Sequence, residues 1–189
     1  MIQSDLSLYT HEQLSAYTHY QLSQLSMLPF ITDRTVADVE RWCTLRDKGW
    51  AGMTEAERRE WLGEVSSTPA AWRGMYTHND LNRVESAVKS ILFLLESAGY
   101  KLPVLTVKTD WTYTDTVRDT DMERYFGNID TIRNALAVFP TTPKAPTVRE
   151  KLNYERANDI EKILLDVHIL VTNMTSSWQY AGEIFSGEV

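Results

Sequence analysis

The sequence predicts a mainly α fold: a three-helix bundle with a short helical hairpin, an N-terminal helical arm and a minor two-stranded β element. Three observations carry this expectation. Three long stretches place apolar residues at three- and four-residue steps, capping phrases precede several helical runs, and a β-branched segment and an alternating tail stand apart from both. At 189 residues, 43% hydrophobic and 24% charged, the chain is globular in composition and long enough for one domain with a real core plus an arm. The expected organisation is an assembly arm over residues 1–30, a helical hairpin over 31–66 and a three-helix bundle domain over 74–189.

The arm is polar, rich in Ser, Gln, Tyr and Leu, and ends at Pro29. It says nearly the same thing twice, with Tyr-Thr-His-x-Gln-Leu-Ser at Tyr9–Ser15 and again at Tyr17–Ser23. In each unit threonine and glutamine stand as in a capping box, Thr10 with Gln13 and Thr18 with Gln21. Similar words return at Tyr76-Thr77-His78-Asn79-Asp80, where the first long helix is expected to start, so the echo reads as a helix-start phrase. Two starts so close leave about two turns each, too short for a stable isolated helix. The alternative is one helix with Leu14, Tyr17, Gln21, Leu22 and Leu25 near one face. Either way the arm needs a support. The expected interface residues are Thr10, Leu14, Tyr17, Thr18, Leu22 and Leu25, with the leucines buried against another chain and the threonines capping.

In the hairpin, Val36, Val39, Trp42 (or Cys43) and Leu45 fall at helical spacing, with Thr35 as N-cap and Gly49 as the stop. Thr54 and Glu57 then form a capping box before Trp61 and Leu62. The stretch Ser66–Gly74 reads as a linker. The first long helix is expected from about His78 to Ser97, striped by Leu81, Val84, Val88, Ile91, Leu92 and Leu95 and ended by Gly99. The next covers about Thr120–Val138, and Pro140, Pro143 and Pro146 stiffen the connector after it. The last covers about Tyr154–Thr175. Leu92 and Ile163 lie in the most continuous parts of their stripes and are expected in the core. The segment around Val104–Val107, interrupted by Pro103, suits an edge strand, and the tail "YAGEIFSGEV" is its expected partner.

The net charge of −7 leaves no broad basic field, which argues against nucleic acid as the main partner. The longest apolar run, Ile91–Leu95, is far too short to span a bilayer, so no membrane insertion is expected. The single cysteine, Cys43, has no partner for an intrachain disulfide and reads as a packing residue. Of the four histidines, His11 and His19 are equivalent positions of the arm repeat and point about 80° apart on a helix, a poor metal pair. No phosphate loop, nucleophile elbow, Cys/His cluster or HExxH motif occurs, and no cofactor is expected.

A second echo pairs Asn82-Arg83-Val84-Glu85 with Asn158-Asp159-Ile160-Glu161, each offering Asn and Glu on one helix face beside an apolar stripe. Two glutamates in an open cleft would suit acid–base chemistry. The reading preferred here is a polar pair that fixes helix register by hydrogen bonding. Six tryptophans, Trp42, Trp50, Trp61, Trp72, Trp111 and Trp178, admit sugar stacking, although most lie at helix ends or on stripes.

The phrases "ITDRTVADVERWCTLRDKGWAGMTEAERREWLGEV", "YTHNDLNRVESAV", "KTDWT", "LAVFPTTPKAPT", "NDIEKILLDV" and "YAGEIFSGEV", in this order from Phe30 to the C-terminus, resemble a group of small virion structural proteins. These belong to bacteriophages and prophages of Gram-positive, Clostridia-like bacteria. The resemblance implies a non-enzymatic tail or baseplate component, assembled in the host cytoplasm, whose partners are other virion proteins and copies of itself. It supplies no catalytic residue. The alternative is a module of the tail that binds host-surface glycans through exposed tryptophans.

Overall fold

The computed structural model describes residues 30–62 and 70–186. In chain order the helices are α1 (Val36–Gly52), α2 (Glu55–Trp61), α3 (Ala70–Arg73), α4 (His78–Ser97), α5 (Asp119–Asn134) and α6 (Tyr154–Ser186). Helices α4, α5 and α6 pack on one another in all three pairings, and α1, α2 and α3 do the same beside them. The larger core joins Ile91, Leu94 and Leu95 of α4, Tyr125, Ile129 and Ile132 of α5, and Ile160, Ile163, Leu164 and Val167 of α6. A smaller one is made by Leu45 and Met53 with Trp61 against them.

Local chemistry starts most of these helices. Thr35, Thr54 and Thr77 each accept a first-turn N–H, and Asp38, Glu57 and Asp80 reach back to the respective cap backbone. Helix α4 ends at Gly99, whose φ of 85° lets Tyr100 N–H reach Leu95 O and Gly99 N–H reach Glu96 O. Gly74 follows α3 because nothing larger fits: a Cβ there would lie 2.2 Å from the backbone oxygen of Asp38. The expected linker Ser66–Gly74 therefore includes a helical turn pressed on α1.

The two-stranded β element is absent among the described residues, which corrects the expected fold class. Tail residues 180–186 continue α6 instead, carrying it to Ser186 and past the expected end near Thr175. The other expected strand has no ladder because side chains take its backbone groups. Thr106 O accepts from Arg124 Nη1 and Asn128 Nδ2, and Lys108 N–H donates to Glu85. Two other boundaries differ from the expectation. At Gly49, the expected stop, the backbone leaves helical geometry (φ 60°, ψ 167°), and α1 resumes beyond this kink to Gly52. Helix α5 stops at Asn134, short of Val138, where Arg133 turns to the carbonyls of Thr142 and Pro143. Ile163 is fully buried, whereas Leu92 is only half-buried against the core, and Ile91, Leu94 and Leu95 take the interior positions.

Candidate functional site

The expected interface residues Thr10, Leu14, Tyr17, Thr18, Leu22 and Leu25 lie outside the described residues, as do His11 and His19. What the structure adds is a pair of polar sites on the long helices, built on the second echo of the sequence.

On α6, Asn158 and Glu161 hold the extended segment that enters α1. Asn158 Oδ1 accepts the N–H of Arg34 at 3.0 Å, and its Nδ2 donates to the carbonyl of the same residue at 2.9 Å. One turn on, Glu161 Oε2 accepts the N–H of Ile31 at 2.6 Å. Its other oxygen accepts from Arg34 Nη2 at 2.7 Å and Arg83 Nη2 at 2.6 Å. Both guanidinium groups also reach Asp80, at 3.1 and 2.8 Å. Two cations and two anions thus neutralise one another where the Arg34, Asp80 and Glu161 side chains are 2%, 8% and 1% exposed. Burying such a cluster costs desolvation, which these hydrogen bonds offset in part, while the Nε atoms of Arg34 and Arg83 stay buried without a partner. Phe30 packs on the core beside it, and the Arg34 guanidinium lies over the ring of Tyr76.

On α4, Asn82 and Glu85 hold residues 108–111 in the same manner. Asn82 accepts the N–H of Trp111 at 2.8 Å and donates to its carbonyl at 2.9 Å. Glu85 Oε2 accepts the N–H of Lys108 at 2.6 Å, and Oε1 accepts the indole N–H of Trp111 at 3.0 Å. Arg124 closes the site with a two-pronged contact to both oxygens of Glu85, at 2.5 and 2.8 Å. Each asparagine therefore reads both backbone groups of one residue, and each glutamate reads the N–H three residues earlier. The pairs act on distant segments of the chain, which corrects the expectation that they fix helix register. Both glutamates are buried acceptors saturated by donors, and neither faces an open cleft.

Other buried polar groups are structural in the same sense. Tyr76 and Tyr125 share a hydrogen bond of 2.6 Å, and burial pushes both phenols well above their usual acidity range. Asp166 accepts from Thr142 at 2.6 Å and from Lys162, tying the proline-rich connector to α6. His168 is half-buried, and burial pushes its imidazole pKa down. A cleft of about 280 Å³ lies between the two helix groups, lined in part by Arg34, Arg73, Tyr76 and Tyr154. Its cations are already paired, Arg34 as above and Arg73 with Asp33 at 2.5 Å. Among the described residues no group of three His, Cys, Asp or Glu side chains could hold a metal ion, and no helix is long and apolar enough to cross a membrane.

The tryptophans divide. Trp111 is core, Trp61 packs against Trp72 with ring centres 6.2 Å apart, and the guanidinium of Arg58 covers a face of Trp50. Trp178 is 53% exposed. No protein-family model, curated protein or solved structure matches the chain.

Proposed function

We propose that this chain is a non-enzymatic structural protein of a phage particle, a tail or baseplate component that docks through residues 1–30 and links neighbouring subunits. One observation carries the reading beyond the sequence resemblance. The segment Phe30–Arg34 is held on α6 by a buried, charge-balanced cluster, so the arm is attached to the helical body at a rigid point. An arm that transmits an attachment needs such a root. Both glutamates that a hydrolytic site would draw on are committed to holding chain segments, and the ring faces of Trp50 and Trp72 that a sugar would use are partly occupied.

Deletion of residues 1–28 tests the proposal. The expected product is a folded helical body that fails to join the particle when assembly is followed by sedimentation or imaging. Normal incorporation of the truncated protein would place the attachment surface on the helices instead. Binding of the intact protein to a glycan array, with assembly unaffected by the deletion, would favour host-surface recognition.

A further inference from the structure

The two sites on α4 and α6 hold segments that are themselves alike. Ile31–Asp38 reads ITDRTVAD and Lys108–Asp115 reads KTDWTYTD, so Thr32, Asp33, Thr35 and Asp38 match Thr109, Asp110, Thr112 and Asp115 without a gap. The match extends to geometry. Asp38 Oδ2 accepts the N–H of Thr35 at 2.7 Å, and Asp115 Oδ2 accepts that of Thr112 at 2.8 Å.

The helices that hold them also align without a gap. Thr77 and Asn153 each accept a first-turn N–H, Asn82 and Glu85 fall on Asn158 and Glu161, and the buried residues Val84, Val88 and Ile91 fall on Ile160, Leu164 and Val167. In chain order the pattern is segment, intervening helical part, reading helix, and then segment, intervening helical part, reading helix again, with α1, α2 and α3 between in the first case and α5 alone in the second.

We infer that the chain contains two copies of one unit, and that Asn82/Glu85 and Asn158/Glu161 are two copies of one peptide-binding site. Its ligand class is an extended segment of the form x-Thr-Asp-(Arg or Trp)-Thr. The site reads four features: the N–H of the first position, the N–H and C=O of the fourth, and a side-chain N–H at the fourth, supplied by Arg34 in one case and Trp111 in the other.

Each site is filled by the other unit. The first unit's segment lies on α6 and the second unit's on α4. The extra guanidinium crosses over as well: Arg83 of α4 completes the α6 site, and Arg124 of α5 completes the α4 site. Reciprocal exchange of this kind locks the halves together through contacts that neither half makes alone. The units differ between segment and reading helix, because α1 packs with α2 and α3 whereas α5 enters the main core. Where the protein works has no bearing on this exchange.

Amide hydrogen exchange by NMR on the full chain tests it. The amides of Ile31, Arg34, Lys108 and Trp111 are expected to exchange at least about 100-fold more slowly than those of Thr32, Asp33, Thr109 and Asp110. Asn158→Ala should release Arg34 and spare Trp111, and Asn82→Ala should do the reverse. Flat protection along either segment, or both segments responding to one substitution, would overturn the inference. A second measurement uses a full-length variant carrying Ile31→Pro and Arg34→Pro, which deletes both N–H groups read on α6. A peptide of residues 30–38 is expected to bind it, one per chain, whereas a peptide of the same composition in scrambled order does not. A variant that keeps its helical circular dichroism yet ignores the peptide would also overturn the inference.

Discussion

Glu161 on α6 accepts the backbone N–H of Ile31 at 2.6 Å, across 130 residues of chain. The same carboxylate binds the guanidinium groups of Arg34 and Arg83, so one side chain joins the root of the arm, α4 and α6. Stability should therefore be concentrated there.

Arg34→Ala should leave Asp80 and Glu161 with one guanidinium between them in a buried site. The expected loss is about 3–5 kcal/mol. Arg156→Ala removes an ion pair with Glu150 whose side chains are 38% and 39% exposed, and should cost less than about 1 kcal/mol. Urea unfolding of the two variants measures the difference. Equal losses would contradict the burial of the Arg34 cluster.

Acid should loosen the hairpin through Glu57. The hydrogen bond from Lys48 Nζ at 2.6 Å, helped by the N–H of Thr54, holds this carboxyl down to about 2 from an ordinary value of 4.5. A folded-state pKa below the unfolded one contributes stability that is present above about pH 4.5 and lost as pH falls through about 2. The methyl signal of Met53 in the hairpin core should report the loss, and Glu57→Gln should flatten its dependence over that range.

Core truncations should follow the observed burial and not the stripe read from sequence. Ile91→Ala and Ile163→Ala remove fully buried side chains and should each cost about 2–5 kcal/mol. Half-buried Leu92 has less to lose, and Leu92→Ala should cost less than about 2 kcal/mol. Denaturant midpoints for the three variants give the ranking directly.

Two glycine substitutions should have opposite signs. Gly74→Ala drives a Cβ into the Asp38 carbonyl and should destabilise by about 1–3 kcal/mol, separating α3 from α1. Gly127 lies within α5, where an added Cβ would point into open space with no atom within 4 Å, and Gly127→Ala should stabilise by about 0.5–1 kcal/mol. Thermal melts of both variants decide the matter.

What the sequence determined by itself is what depends on neighbours a few residues away. The caps at Thr35, Thr54 and Thr77 and the stop at Gly99 are local hydrogen-bonding and backbone problems, and the residues carry the solution. The long stripes of α4 and α6 were legible for the same reason, since one helical period repeats over several turns. The tail was not, because Tyr180–Phe185 is too short to separate alternation from helical spacing, and the preceding helix simply propagates through it. The tertiary structure alone decided what Asn82, Glu85, Asn158 and Glu161 do. Their pairing on a helix face was visible, but an asparagine and a glutamate satisfy a neighbouring turn or a distant backbone equally well on paper. Only the packing of α4 against α6, which brings Arg34 and Arg83 to one carboxylate and leaves the N–H of Ile31 buried and that of Lys108 partly buried without a ladder, selects the distant partners.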